Sequence, residues 1–174
     1  MANHLFSFTS SEPIFVDTNI LLYQQAAHPR FGSDCRDFLE QIERGDLQAA
    51  TSNVVINEAA FIAQTQCIAH LVGTPNRNVI RARLARDEAI AREAAQAVLR
   101  LLDYLASLQQ GGLTVFDVEA NHYREACKAM EQHGLFVSDA THVVLCRQLG
   151  IRHIATNDND LDRVPYLTRW APGP

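Results

Sequence analysis

The stretch IFVDTNILL, residues 14–22, decides the fold. A short apolar run ends on an acid, and a helix-like apolar pattern follows within three residues, which predicts a strand, a tight turn and a helix. Asp17 would then lie at the carboxyl end of a buried strand, the edge of an open α/β sheet at which ligands bind. Helix capping is an equal alternative for Asp17, because Asp side chains accept hydrogen bonds from the free N–H groups of a helix start.

Length and composition predict one domain over residues 1–174. The chain is 47% apolar, enough to build a sizeable core. Its apolar runs are far shorter than a membrane span, and no basic segment followed by an apolar core opens the chain. We therefore expect a cytoplasmic protein that makes no use of a membrane.

The four cysteines are widely spaced and form no C-x-x-C pair, which argues against a zinc knuckle and a redox motif. We expect them to be reduced and mostly buried thiols. They are Cys35, Cys67, Cys127 and Cys146.

A helical segment over about residues 67–112 carries most of the positive charge. A long helix is predicted from Asn76 or Asn78 to about Gln110, with Ala95, Val98 and Leu102 on its apolar stripe. Although the whole chain has a net charge of −5, residues 77–100 hold six arginines against three acids, a balance of 6 − 3 = +3. Such charges are commonly a solvated face; contact with nucleic acid is the alternative. The candidate RNA-binding residues are Arg77, Arg81, Arg83 and Arg86.

Glu58 lies in a strongly apolar helix predicted over about residues 53–66. A lone carboxylate is costly to bury unless it is paired. Glu58 either occupies a narrow polar face beside Asn57 or lies inside and has a cation as its partner.

Asp139 opens a second apolar helix, within the sequence FVSDATHVVLC of residues 136–146. An acid in the first helical turn is stabilised by the helix dipole, which accounts for Asp139 without any function. His142 shares this segment, and no matching histidine accompanies it. A packed or supporting role for His142 is therefore favoured over metal ligation.

The sequence TNDNDLD, residues 156–162, follows the last predicted strand, residues 151–156. It places three acids in five residues at a second crossing of the same sheet edge. Calcium loops also space their acids, but this run lacks the Gly and the closing Glu of an EF-hand.

Four separate elements thus each present a carboxylate, and hard divalent cations prefer oxygen ligands. One or two such ions can activate a water and stabilise the leaving oxygen in phosphodiester cleavage. Without a cation, clustered carboxylates repel and raise one another's pKa values. The four acids are Asp17, Glu58, Asp139 and Asp158.

In their order, the four acidic segments resemble the motifs of PIN domains, and most closely those of VapC-like toxins. The quoted motifs are VDTN (16–19), Glu58 in its apolar helix, SDA (138–140) and ATNDNDL (155–161). The resemblance spans residues 14–162. It implies an α/β/α sandwich around a parallel sheet, Mg²⁺- or Mn²⁺-dependent ribonuclease activity, a homodimer and a small antitoxin protein.

The resemblance also assigns roles to residues. The four acids would form the catalytic quartet, with Asp17 and Asp139 as direct metal ligands and Asp158 completing the shell. The positions that would support them are Thr18, Asn19, Thr156 and Asp160. Two features depart from the family: Leu161 stands where Phe is usual, and the helical segment 67–112 is longer than in a compact toxin.

Three other classes compete with a metal-dependent endoribonuclease. A haloacid-dehalogenase-type phosphatase needs a second acid two residues after Asp17, where this chain has Asn19. A receiver domain needs a late lysine, and the only lysine is Lys128, in a predicted helix. A PIN-like scaffold that binds RNA or protein without cutting remains the alternative, since the presence of four acids does not show that they converge.

Overall fold

Strands and helices alternate along the computed structural model, which describes residues 3–173. The strands are β1 (Asn3–His4), β2 (Ile14–Val16), β3 (Ala49–Ser52), β4 (Leu113–Phe116), β5 (His153–Ala155) and β6 (Thr168–Ala171). The helices are α1 (Thr18–Gln25), α2 (Gly32–Glu43), α3 (Asn53–Val72), α4 (Arg77–Arg86), α5 (Glu88–Gln110), α6 (Ala120–His133) and α7 (Val137–Leu149). Two short 3₁₀ helices cover Leu5–Ser7 and Asn159–Arg163.

All six strands form one parallel sheet in the order β1-β6-β5-β2-β3-β4. Every residue of β2 and β3 is buried, as expected for strands that helices cover on both faces. Helices α6 and α7 pack against each other, and α1, α2, α3 and α5 form a second packing group. The predicted three-layer α/β/α sandwich with a central parallel sheet is confirmed.

The position of β2 in the sheet brings the acidic segments together. Strand β2 lies between β3 and β5, and its last residue, Val16, pairs with Ala155 at the end of β5. Because β2 and β5 are parallel, the backbone leaves both strands at the same edge of the sheet. Asp17, which follows β2, and Thr156, which follows β5, therefore lie side by side.

Both ends of the chain add strands that were not predicted: β1 at one edge of the sheet, and β6 between β1 and β5. Residues 1–12 were expected to be a loose lead-in, but Asn3 pairs with Trp170 to make β1. The expected packing of the C-terminal tail is confirmed through residue 173. Trp170 packs edge-on against Phe8 and donates from Nε1 to Nδ1 of His153 at 3.1 Å. Residues 1–2 and 174 lie outside the described part of the chain.

The long helix predicted from Asn76 or Asn78 to about Gln110 is two helices, α4 and α5, which meet at Asp87. The helix predicted over about residues 53–66 extends further, as α3, to Val72. Asp87 has an extended backbone, and its side chain accepts from the N–H groups of Ala89 and Ile90, so it caps the start of α5. No helix within residues 3–173 is long and apolar enough to cross a membrane.

The buried face of this segment agrees with the predicted stripe only in part. Ile80 and Leu105, which also lie on the stripe, are buried, but Ala95 is exposed and Leu102 is 40% exposed. At those two positions the buried residues are the preceding ones, Ala94 and Leu101. Around the junction, Ile68, Ile80, Ile90 and Ala94 form a small second core.

The expectation for the cysteines is half wrong. All four thiols are free, but Cys127 is exposed and Cys67 is half-buried. Only Cys35 and Cys146 lie in the core. Burial raises the pKa of Cys35 to about 12, so this thiol is inert as a nucleophile.

The turn between α5 and β4 depends on glycine for a close backbone approach. The N–H of Gly112 donates to the carbonyl of Ile42 at 2.7 Å, and its carbonyl accepts from Ala49 at 2.8 Å. A Cβ atom at Gly112 would lie 2.0 Å from the carbonyl oxygen of Leu47. Gly112 thus lets the end of α5 enter the sheet beside β3.

Candidate active site

Asp17 is the most highly connected acid at the carboxyl edge of the sheet. Its Oδ1 accepts from the backbone N–H of Thr18 at 2.6 Å. Its Oδ2 accepts from Asn19 Nδ2 at 2.5 Å and from Thr156 Oγ1 at 2.6 Å. The capping alternative is therefore present in the structure, but Asp17 is also 94% buried and bonded to a second strand end.

Asn19 and Thr156 tie the two strand ends together. Asn19 Nδ2 also donates to Thr156 Oγ1 at 2.9 Å, while its Oδ1 accepts from the N–H of Asn157 at 3.0 Å. Thr156 Oγ1 in turn accepts from the N–H of Asp158 at 3.0 Å. The network links the Asp17 carboxylate to the backbone N–H groups of Asn157 and Asp158, and so fixes the Asp158 segment relative to Asp17.

Glu58 joins the same cluster from helix α3. Its Oε2 accepts from Thr18 Oγ1 at 2.9 Å, across 40 residues of sequence. Glu58 is half-buried, and its hydrogen-bond partner is a hydroxyl and not a cation of the described residues, so it lies between the two alternatives that the sequence left open. Thr18 thus connects Asp17, through its backbone, with Glu58, through its hydroxyl.

Asp139 completes the cluster from the first turn of α7. Burial and then the nearby charges of Asp158, Asp17 and Glu58 raise the pKa of Asp139 to about 7, from an ordinary value of 3.8. The dipole of α7 acts in the opposite direction and is outweighed. The structure therefore brings the four predicted acids, from four separate elements, within electrostatic range of one another.

Within the described part of the chain, no Arg or Lys is paired with this acidic cluster of Asp17, Glu58, Asp139 and Asp158. The same part of the chain contains no ready-made cage of three or more His, Cys, Asp or Glu side chains around a metal position. An all-oxygen donor set of this kind fits Mg²⁺ or Mn²⁺, because such ions bind through one or two carboxylates and retain several waters.

His142 lies behind the cluster, as the sequence analysis favoured. It is buried against the ring of Phe15, at 5.2 Å between ring centroids, and neither ring nitrogen has a hydrogen-bond partner. Its Nε2 is 3.8 Å from Asp17 Oδ1, too far for a hydrogen bond. Burial lowers the pKa of His142, which leaves the ring neutral and unable to offset the acids.

Asp160 lies at the rim of the cluster, where sequence reasoning missed its partner. Arg163 donates from Nη2 to Asp160 Oδ1 at 2.7 Å and from Nη1 to the carbonyl oxygen of Gly134 at 2.9 Å. It therefore joins the last acidic segment to the loop before α7. The two residues are three positions apart, a spacing that places both on one face of a helical turn, and this spacing could have predicted their ion pair.

The arginines of α4 stand on an exposed helix outside this network. All four predicted RNA-binding residues are exposed, and Arg77 and Arg81 line a groove of about 580 Å³ between α3 and α4. Phe61 and Ile80 line the same groove. The structure does not bring the arginines into contact with the carboxylates, so any joint role would need a ligand long enough to reach both.

The fold and this edge define a class: α/β/α proteins that gather acids at the carboxyl ends of parallel strands, where four elements meet. The sequence pattern of the PIN domain matches residues 14–167. The chain therefore belongs to the PIN domain family. No curated protein sequence gives a significant match.

Solved structures of similar fold come from toxin–antitoxin systems. The VapC20 toxin of Mycobacterium tuberculosis, described as cleaving the sarcin-ricin loop, has a TM-score of 0.59 and 18% identity over 89% of this chain and 97% of that one. A toxin–antitoxin complex from Klebsiella pneumoniae gives 0.56 and 13%, over 88% and 94%. VapBC2 of Rickettsia felis, bound to promoter DNA, gives 0.52 and 19%, over 92% and 98%. At these identities the likeness establishes the shared fold.

Proposed function

We propose that this protein is a divalent-cation-dependent endoribonuclease, the toxin of a toxin–antitoxin pair. The observation that carries the proposal is the convergence of four carboxylates, none of which is paired with an Arg or Lys of residues 3–173. Membership of the PIN domain family and the toxin neighbours support the reaction class. The structure of the site supports the use of a metal ion through its oxygen-only donors.

The four acids have different surroundings and hence different roles in the proposal. Asp17 is held by three hydrogen bonds and would be the fixed ligand of the ion. Asp139 lacks such bonds, and its raised pKa means that a bound cation would displace a proton from it. Asp158 would complete the set, and Glu58, anchored by Thr18, would orient water. The ion itself would neutralise the phosphate and lower the pKa of the attacking water.

The remaining polar residues act by positioning. Asn19 and Thr156 hold Asp17 and the Asp158 backbone, so they set the separation between two ligands of the ion. Such partners commonly change metal affinity by about 10–100-fold when removed. Asp160, held by Arg163, would add negative charge at the rim without touching the ion.

We propose that the arginines of α4 bind the RNA backbone at a point remote from the site of cleavage. An acidic cluster repels phosphate, so the substrate needs cationic contacts elsewhere on the protein. Arg77, Arg81, Arg83 and Arg86 provide the strongest local positive charge, on an exposed helix.

Partners and location follow from the same proposal. We infer a homodimer in the cytoplasm, inhibited by a small antitoxin protein, since the neighbouring structures include toxin–antitoxin complexes. A short reading frame directly upstream of the gene would support the antitoxin. Size-exclusion chromatography with light scattering would test the dimer.

The experiment that tests the activity is cleavage of a structured RNA pool in Mg²⁺ or Mn²⁺. The controls are EDTA, Asp17→Asn and Asp103→Asn, the last being an exposed acid on α5 outside the cluster. We expect the first two controls to abolish cleavage and Asp103→Asn to retain it. A folded wild-type protein that neither cleaves RNA nor binds either ion by calorimetry would overturn the proposal and favour a binding scaffold.

A further inference from the structure

Phe136 is the most exposed large apolar side chain among residues 3–173. It is 78% exposed, and the next residue, Val137, is 48% exposed. Burying a phenylalanine is worth more than almost any other side-chain burial, so a Phe in water contributes nothing to the core. Its presence there is unexplained by the fold.

The backbone that carries Phe136 is rigidly held. Gly134 ends α6 with φ +64°, and its N–H donates to Met130 at 2.9 Å. Leu135 is buried in the main core. The carbonyl of Phe136 accepts from the N–H of Ala140 at 2.9 Å as the first bond of α7. The ring therefore projects from a fixed point and not from a loose loop.

This fixed point lies beside the acidic cluster on two sides. Asp139 follows Phe136 by three residues, or about 4.5 Å along a helix axis. Arg163 bonds to the carbonyl of Gly134 and to Asp160, at 2.9 Å and 2.7 Å, and so clamps the loop before α7 against the last acidic segment. The backbone of Phe136 thus lies at the rim of the site, next to the first turn of α7 and close to the loop that Arg163 holds against the last acidic segment.

We propose that Phe136 is the base-stacking residue of the site and binds an unpaired nucleotide next to the phosphate that is cut. This inference rests on the proposed function, whose substrate it narrows to single-stranded RNA or unpaired loops. The cation at this rim, Arg163, is already paired with Asp160, and the other charges there are acidic, so an aromatic face that binds any base by stacking is the available means of holding a nucleotide. A base inside a duplex is covered on both faces and cannot stack on a side chain in this way.

The surroundings of Phe136 favour a nucleotide over a protein partner. Protein-docking patches are wide and apolar at their centre. Along this segment the exposed apolar residues are Phe136 and Val137, since Leu135 is buried and Gly134 and Ser138 do not carry apolar side chains. One flat ring beside charged and polar groups matches the size of one base.

The test measures RNA binding separately from cleavage. The protein carries Asp17→Asn so that it does not cut, and the probes are a fluorescein-labelled 8-nucleotide RNA and the same strand annealed to its complement, both in Mg²⁺. Phe136 is replaced by Ala, by Leu, which is apolar without an aromatic face, and by Trp, which restores stacking. Phe6→Ala is the matched control, since Phe6 is 66% exposed and lies beyond β1 at the far edge of the sheet.

We expect Phe136→Ala and Phe136→Leu to weaken binding of the single strand about tenfold, with Phe136→Trp and Phe6→Ala close to the parent protein. The slope of affinity against salt should stay the same, because stacking releases no counterions. The preference for the single strand over the duplex should fall in the Ala and Leu variants. Tryptophan fluorescence of Phe136→Trp should be quenched by the single strand.

Four results would overturn the proposal: no binding of either RNA by the parent protein, unchanged affinity in Phe136→Ala, full affinity in Phe136→Leu, or an equal loss in Phe6→Ala. Failure of the proposed function looks different. If the wild type does not cleave RNA but the Phe136 variants still bind the single strand more weakly, the stacking proposal is supported and the proposed ribonuclease activity is wrong. If the wild type cleaves RNA and Phe136→Ala has an unchanged KM, the proposed ribonuclease activity is supported and the stacking proposal is wrong.

Discussion

Replacing Asp139 by Asn should stabilise the metal-free protein while removing its ability to bind the ion. Burial and four neighbouring carboxylates make the charged form of Asp139 costly, so its pKa is raised from 3.8 to about 7. Asn has nearly the same shape and no charge. The substitution thus removes the repulsion between carboxylates without leaving a cavity. Functional residues often lower the stability of a protein in this way, and replacing them then raises stability at the cost of activity.

The size of the effect follows from the pKa of Asp139. At about 1.4 kcal/mol per pH unit, the difference between 3.8 and about 7 corresponds to about 4 kcal/mol. Because the carboxyl is partly exposed, solvent screening reduces this, and we expect about 1–2 kcal/mol. For a domain of this length that is about 2–8 °C in the unfolding temperature.

The effect has a defined pH dependence. The folded protein holds the Asp139 proton to higher pH than the unfolded chain does, so this group's favourable contribution is complete below about pH 4 and is lost as pH rises through about 7. The advantage of Asp139→Asn should therefore be small at pH 4 to 5, grow towards pH 7 and level off at pH 8.

The assay is thermal unfolding in EDTA at pH 5 and pH 8, with Asp103→Asn as the control for loss of an exposed acid. Addition of Mn²⁺ or Mg²⁺ should then raise the unfolding temperature of the wild type, and much less that of Asp139→Asn. The reasoning is refuted if Asp139→Asn is less stable than the wild type in EDTA at pH 8, or if its advantage is as large at pH 5.

Three further outcomes are expected. Asn19→Ala should weaken Mn²⁺ binding by about 10–100-fold in calorimetry, because Asp17 loses a hydrogen-bond donor; unchanged affinity would remove Asn19 from the site. Arg81→Ala combined with Arg83→Ala should weaken RNA binding and flatten its salt dependence, and an unaltered slope in a filter-binding titration would exclude α4 from the RNA path. Gly112→Ala should cost about 2–3 kcal/mol in urea unfolding, since its Cβ would overlap a backbone oxygen; near-wild-type stability would contradict that contact.

Much of the architecture could be predicted because it depends on local patterns. The apolar run before Asp17, the turn and the following helix agree with the observed β2 and α1. The break at Asp87 was missed, because an acid in a helical pattern is read as a surface charge unless its capping bonds are seen. Strands β1 and β6 were missed for another reason: each is short and becomes a strand only by pairing with a segment far away in sequence.

The candidate site was predicted as a set of residue types and positions. Spacing and the four motifs singled out the acids, and the resemblance added Thr18, Asn19 and Thr156 as supports. The hydrogen bonds among them join residues as much as 139 positions apart, which no local pattern encodes. Their catalytic roles remain predictions that the experiments above test.

The alternation of strands and helices and the four acids could be read from the sequence, since hydrophobic periodicity and residue chemistry are local properties. The α/β/α class followed from the resemblance of the four motifs to those of PIN domains. Only the tertiary structure decided that the acids converge, because the parallel pairing of β2 with β5 sets Asp17 beside Thr156. It also decided that the pKa of Asp139 rises where a helix start alone would lower it. Burial and the distances between charges depend on every element packed around them, and these exist only once the chain has folded.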